Sequence, residues 1–392
     1  LDVITELIVV AVAVHRAGRA GLVDLAAGLA RTGIGPRLAD ARFFLEQDLK
    51  TPLFDSLENL DRVVFQQKIG TVGDKARRIT EIARKIAEIT GANPELCERA
   101  ALLSKCDLVS HMVGEFPELQ GHMGGHYAAA SGEDEEVAKA IEEHYAPRFA
   151  GDAIPKSATG RIVSLADRAD SLVGIFAAGL KPTGNKDPFA LRRAALGFLR
   201  ILLEADMDIA PRDVLQFAAE GFGGVLDFEE GLVDDVLSFV SDRLRSFYTD
   251  RGHGTQLVNA ALAAPWNTLP DLDRRMLALD AFMSTEAARS LAASNKRIGN
   301  ILRKSDFSAS KEIDAKLLHL DEEKQLFEAI KKAEDTVEPL LAAGRYEESL
   351  VALSTLEGPV NRFFDEVMVM DEDRALRDNR LSLLSRLKGL FD

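Results

Sequence analysis

At roughly 100 to 200 residues per domain, the 392 residues of this chain supply about two to four domains, each with its own core, which excludes a small disulfide- or metal-stapled scaffold. Apolar residues make up 46% and charged residues 28%, enough buried surface to offset chain entropy, so intrinsic disorder is excluded as well. The formal net charge of −15 repels nucleic acid and anionic membrane on average, so any nucleic-acid contact has to be local.

Residues 1–70 form the first segment. Its apolar run Leu7–Val14 (LIVVAVAV) is far shorter than the roughly 20 residues that cross a bilayer. Asp2 and Glu6 stand where a signal peptide carries positive charge, so the run reads as neither a membrane span nor a secretion signal. The chain opens on Leu1 rather than Met, and the expectation is a fragment. A Gly/Pro break at Thr32–Pro36 (TGIGP) precedes the helix-like stretch Arg37–Leu49.

Residues 71–205 carry most of the histidines. Leu102, Cys106, Val109 and Val113 at i, i+4, i+7 and i+11 predict one helical stripe, and Ile162, Leu165, Ala169, Leu172 and Phe176 predict another. Four of the seven histidines, His111, His122, His126 and His144, crowd into 34 residues. Asp107, Asp167 and Asp170 could add carboxylate oxygens to imidazole nitrogens at a divalent metal. This pattern resembles HD-domain phosphohydrolases, whose metal pocket uses a His, an adjacent His-Asp pair and a later Asp. Here Cys106-Asp107 would have to be that pair. The competing reading makes Cys106 a small core residue and the histidines packing or surface groups, and Gly124-Gly125 weakens a shared helix for His122 and His126. The only cysteines, Cys97 and Cys106, cannot build a disulfide framework and fit a reducing compartment, with cytoplasm the expectation.

Within this segment, Asp187-Pro188 predicts a helix start, Asp as N-cap and Pro at the first helical position, ahead of Phe189–Leu203. The loop Gly179–Arg193 places Lys181, Lys186, Arg192 and Arg193 around that helix N-terminus, where RNA phosphate could dock; solvated loop charges are the alternative.

The third stretch, 206–270, contains acidic residues at Asp227–Asp235 and the glycines of Gly221–Gly224, and reads as a helical linker or body. The last stretch, 271–392, reads as long helices. Its basic run Asn295–Lys304 (NKRIGNILRK) turns Ile298, Ile301 and Leu302 toward a core and puts Lys296, Asn300, Arg303 and Lys304 on one face, with Arg297 beside them. Amide and guanidinium groups can read the edges of unstacked bases while lysine holds phosphate; a plain solvated face is the alternative. Leu376, Leu383, Leu387 and Leu390 predict a further helix, with Arg374, Arg377 and Arg380 as weaker RNA candidates. No Walker-type or dinucleotide glycine loop, no Gly-x-Ser-x-Gly elbow and no credible cysteine nucleophile occurs, so no catalytic residue is expected in this chain. Scarce alternating patterns and 6% aromatic content complete an all-α, multidomain reading.

From about Arg37 to Asp392 the chain resembles the beta subunit of the bacterial-type heterotetrameric glycyl-tRNA synthetase. The strings that carry the likeness include RLADARFFLEQDLKTPL (Arg37–Leu53), VVFQQKIGT (Val63–Thr71), KCDLVSHMVGEFPELQG (Lys105–Gly121), HYAPRFAGD (His144–Asp152), LVGIFAAGLKPTGNKDPFALRRAALG (Leu172–Gly197), NKRIGNILRK and FFDEVMVMDEDRALRDNRLSLL (Phe363–Leu384). The resemblance implies a degenerate HD-like domain, retaining Cys106, Asp107, His144, Asp167 and Asp170 without a metal, and a C-terminal helical-bundle anticodon-binding domain. It further implies a tRNA-binding, non-catalytic subunit of an alpha2beta2 heterotetramer. Its partners would be the alpha subunit, which uses ATP and Mg to activate glycine, and glycine tRNA, with no membrane. Residues 1 to about 32 do not look like the family, and the large N-terminal region of its beta subunits is absent here.

Overall fold

The computed structural model describes residues 35–184, 186–226, 230–305 and 312–391. The apolar run Leu7–Val14, most of the Gly/Pro break and part of the Asp227–Asp235 stretch lie outside the described residues. Within these residues the chain is helical apart from one antiparallel ribbon, β1 (Val64–Gln66) with β2 (Gly70–Thr71), which pairs Val64 with Thr71 and Gln66 with Gly70. The all-α expectation holds, and among the described residues no helix is long and apolar enough to cross a membrane.

The chain divides into two compact units. One runs to Tyr248 and takes in Asn267–Pro270; the other comprises Thr249–Trp266 and the residues from Asp271 onward. Residues 206–248 therefore fold with the first unit rather than forming a body of their own.

The first unit contains α1 (Gly35–Asp48), α2 (Val72–Thr90), α3 (Pro94–Leu103), α4 (His111–Glu115), α5 (His122–Ala130), α6 (Glu135–Glu143), α7 (Ala158–Ala177), α8 (Leu191–Glu204), α9 (Pro211–Glu220) and most of α10 (Leu232–Asp250). A capping box starts α2, with Thr71 accepting from the Asp74 amide and the Asp74 carboxylate accepting from the Thr71 amide. Gly91, at φ 73°, ends it in the left-handed region. Ser157 caps α7 by accepting from the Gly160 amide. The predicted α7 stripe is real but is only part of a helix buried on nearly every side. Ile162, Leu165, Ala169 and Leu172 are joined by Val163, Ala166, Val173 and Ile175 in the core, and α2, α3, α6, α8 and α9 all pack on this helix. Each such full burial of a large aliphatic side chain contributes about 1.5–3 kcal/mol before entropy is charged against it.

Two sequence expectations shift. The Leu102–Val113 stripe is not one helix, because α3 ends at Leu103, Cys106–Val109 is a 3-10 turn, and α4 begins only after Ser110. The cause is local: Ser104 Oγ donates to the Ala101 carbonyl, Ser110 Oγ donates to the Asp107 carbonyl, and the same Ser110 hydroxyl accepts from the Val113 amide. Likewise α8 starts at Leu191, not at Pro188. Asp187 caps it from four residues upstream, its carboxylate accepting from the amides of Leu191 at 2.8 Å and Arg192 at 2.9 Å. Ala190 takes up the turn at φ 54°.

The second unit holds α11 (Thr255–Ala263), most of α12 (Leu269–Met283), α13 (Glu286–Lys304), α14 (Asp321–Ala342), α15 (Tyr346–Ser354), α16 (Glu357–Glu366) and α17 (Arg374–Gly389). Leu291 and Ile298 of α13, Leu326 and Ile330 of α14, Val360 and Phe363 of α16, and Leu383 and Leu387 of α17 meet in one core. Thr285 caps α13 and Asp373 caps α17. Of the predicted α17 leucines, Leu383 and Leu387 are buried while Leu376 and Leu390 are half-buried.

Candidate functional site

On α13 the core and solvent faces separate as the spacing predicts. Ile298 is fully buried, Ile301 and Leu302 pack partly buried on the core, and Lys296, Arg297, Asn300, Arg303 and Lys304 are exposed. Lys296, Arg297, Asn300 and Lys304 line a shallow open depression floored by Ala293 and Ile301. The guanidinium of Arg297 sits 4.2 Å from the ring centroid of Phe364, which pins that cation to the surface of α16. Arg303 donates to Oδ1 of Asn300, an exposed side chain whose Nδ2 is a hydrogen-bond donor. The arrangement is a row of cations with one exposed amide among them, a face suited to phosphates and to a base acceptor.

The α17 arginines separate. Arg374 is exposed, with Asp378 3.9 Å away, and Arg377 is half-buried and donates to the Asp371 carbonyl. Arg380 does not belong with them. It is buried, pairs with Glu323 at 2.5 Å and Asp371 at 2.7 Å, and donates to the Met368 carbonyl. The acidic residues at the start of α14 and before α17 draw it inward, so it ties the bundle together instead of facing RNA.

In the first unit, the loop ahead of α8 keeps its cations at the surface. Lys181 pairs with Asp235 at 2.5 Å, Arg192 donates to the Gly184 carbonyl, and Lys186 and Arg193 are exposed. The α8 amides expected to attract phosphate already have an anion, the Asp187 carboxylate.

The histidine-aspartate cluster holds three residues absent from the sequence reading of it, Lys75, Arg78 and Lys105. Lys75 Nζ lies 2.8 Å from Asp167 Oδ1 and 3.0 Å from Asp170 Oδ2. Lys105 Nζ lies 2.7 Å from Asp167 Oδ2 and 2.8 Å from His144 Nε2. Arg78 completes the neutralisation of Asp170 at 2.6 Å. Burial works against the charge of Lys75, but Asp167 and Asp170 outweigh it and hold its pKa above the usual lysine value. For Lys105 burial prevails over Asp167, with Lys75 adding repulsion, and its pKa falls. Burial would raise Asp167, yet the two ammonium groups hold it well below the ordinary carboxylate range. Burial and the neighbouring Lys105 charge push His144 far below the usual imidazole value. His144 Nδ1 lies 2.7 Å from the Ile141 carbonyl, which can only accept, so the neutral ring carries its proton on Nδ1 and accepts from Lys105 at Nε2. The Nε2 lone pair of His144 is thus taken by an ammonium group, and Asp167 and Asp170 each face two fixed cations.

The remaining cluster residues are placed by packing. Cys106 is buried with its thiol pushed up to about 12 by that burial. Asp107 Oδ2 accepts from the amides of Gly121 at 2.6 Å and Gly124 at 3.1 Å, and burial lifts its pKa to about 6. The glycine pair does not break α5: a Cβ at Gly124 would stand 2.7 Å from Ile141 Cγ2, so glycine is what allows α5 to press against α6 and Asp107. His122 pairs with Glu142, His111 pairs with Asp48, and His126 is buried; none of the three joins the lysine cluster. Among the described residues no group of three or more His, Cys, Asp or Glu side chains is disposed to hold a metal ion.

Comparison with known proteins joins these two regions. Residues 13–263 match the family described as glycyl-tRNA synthetase beta subunit, and residues 291–391 match the DALR anticodon binding domain. The first match begins inside the stretch read from sequence as unlike the family, so residues 13–32 belong to the likeness. The chain is similar to proteins named glycine–tRNA ligase beta subunit from Chromohalobacter salexigens (49% identical), Aliivibrio fischeri (48%) and Acinetobacter baylyi (45%), each over 358 residues and 91% of this chain. It spans about half the length of these relatives, 52% in each case. A match to more than half of the chain, together with identity near one half along nine-tenths of it, places this protein in the glycyl-tRNA synthetase beta-subunit family.

Proposed function

We propose that this chain is the tRNA-binding, non-catalytic part of a glycine–tRNA ligase, positioning glycine tRNA for ATP-dependent glycylation at an active site on a separate alpha subunit. The observation that carries this reading is the exposed cationic row of α13, Lys296, Arg297, Asn300, Arg303 and Lys304, inside the region that matches an anticodon-binding domain. Exposed anticodon bases offer hydrogen-bonding edges and flanking phosphates, which an exposed amide and neighbouring lysines complement. A local row of this kind answers the difficulty posed by the acidic body. In this reading the 71–205 region is a degenerate HD-like element whose charges balance internally, and the partners are the alpha subunit, in an alpha2beta2 assembly, and tRNA.

The test is binding of glycine tRNA and an anticodon-altered tRNA by Asn300→Ala and Lys296→Ala across several salt concentrations. Asn300→Ala should cost about 1–3 kcal/mol with the cognate tRNA and narrow the gap between the two. Lys296→Ala should weaken both tRNAs alike. If both variants fold and bind both tRNAs as the parent does, the α13 face is only solvated surface.

A further inference from the structure

Beside the Asp167–Lys105 pair the first unit opens into a pocket of about 400 Å³, within the size range of small-ligand sites. Its wall joins four separate stretches of chain: Glu118 and Gln120 from the stretch between α4 and α5, Tyr145 and Arg148 from the segment after α6, Asp167 from α7, and Phe189 and Arg193 on either side of the start of α8. Arg168 also lines it, but its terminal nitrogens are spent on the carbonyls of His144, Tyr145, Pro147 and Ser164. Two carboxylates reach the wall. Asp167 is compensated by Lys75 and Lys105, so Glu118 alone opposes the guanidiniums of Arg148 and Arg193, and the pocket favours an anion.

The pocket also offers flat apolar surface. Phe189 is 38% exposed, and the Asp187 cap with the Ala190 turn fixes the backbone that presents it. The Tyr145 ring forms part of the wall. Lys105 packs over that ring 4.1 Å from its centroid, and its buried hydroxyl has no hydrogen-bond partner among the described residues. An exposed ring beside two arginines in one concave site matches a ligand that is both planar and anionic.

We infer that this pocket is a nucleotide site, in which a base stacks on Phe189 and its phosphate pairs with Arg148 and Arg193. The chemistry is shared by a free mononucleotide and by an unpaired nucleotide of an RNA. The site is independent of the anticodon reading, since it uses no residue of the second unit.

The test is calorimetric titration of the full chain with AMP, adenosine, inorganic phosphate and a short single-stranded RNA. AMP should bind saturably and at least about tenfold more tightly than adenosine or phosphate, each of which keeps only part of the contacts. Phe189→Ala and Arg193→Ala, both at exposed positions, should each weaken AMP roughly tenfold with unchanged circular dichroism, while Lys139→Ala on the exposed face of α6 leaves binding as it was. RNA binding stronger than AMP and lost in the same two variants assigns the site to an RNA nucleotide; AMP binding without it assigns a free nucleotide. Absence of saturable binding by both AMP and RNA, or binding unchanged in both pocket variants, overturns the inference. Because these variants leave the α13 face intact, their failure is separable from failure of the anticodon reading.

Discussion

Lys105 and His144 face each other across 2.8 Å, the ammonium of one donating to the Nε2 lone pair of the other. The Ile141 carbonyl holds the imidazole proton on Nδ1, so this histidine presents to a lysine the atom that a metal-binding histidine presents to its ion.

Removing that ammonium leaves His144 Nε2 buried without its donor and Asp167 with one cation instead of two. Lys105→Met should therefore lower the free energy of unfolding by about 3–5 kcal/mol in urea titrations. In NMR titrations the His144 pKa should rise, because burial remains while the adjacent positive charge is gone. An unchanged urea midpoint would show the pair to be incidental.

Asp107 gives a pH dependence of defined sign. Its folded pKa of about 6 lies above the ordinary 3.8, so between about pH 4 and 6 the folded protein keeps a proton that the unfolded chain has released, and stability falls as pH rises through that window. Asp167, with its depressed pKa, acts in the opposite sense: its contribution is present above about pH 4 and is lost only as pH falls below. Asp107→Asn, which can still accept from Gly121 and Gly124, should remove the downward slope and raise stability above pH 6 by on the order of 2–3 kcal/mol. Urea midpoints collected from pH 4 to 7 decide this, and a slope that survives the substitution refutes it.

The arginines of α17 should part company under truncation. Arg380→Ala strands the buried Glu323 carboxylate and should destabilise the second unit by about 3–5 kcal/mol. Arg374→Ala, at an exposed position, should stay within about 0.5 kcal/mol. Thermal melts of the two variants side by side provide the measurement, with equal losses counting against the assignment.

For the α13 face, each lysine that contacts phosphate should leave a signature in salt. Lys296→Ala and Lys304→Ala should each make the dependence of log affinity on log salt shallower by roughly one released counterion. A double variant with the parental slope would place the phosphate contacts elsewhere.

The sequence made the helices visible wherever one face alternates with solvent, as on α13, where Ile298 and Lys296 sort as their spacing says. It was silent where local side-chain bonds override periodicity: Ser104 and Ser110 cut the Leu102–Val113 stripe by offering the backbone other partners. Lys75 and Lys105 escaped notice because lysine is ordinarily a surface residue, yet a signal was present. Lys75 stands in register with Val72, Ile79, Ile82 and Ile86 on the buried face of α2, and a cation on an apolar stripe asks for a buried anion. Arg380 misled for the same reason, as nothing in its neighbours reveals that Glu323, 57 positions away, waits for it in the core.

Two lysines anchored in α2 and just beyond α3 carry the charge that balances Asp167 and Asp170, which makes the arrangement hard to undo one residue at a time. Losing either lysine leaves Asp167 buried with one cation instead of two, and losing Lys75 also leaves Asp170 to Arg78 alone. The ammonium pair therefore makes α2, the turn after α3 and α7 answer to one another, so that substitutions at Lys75, Lys105 and Asp167 should not add independently.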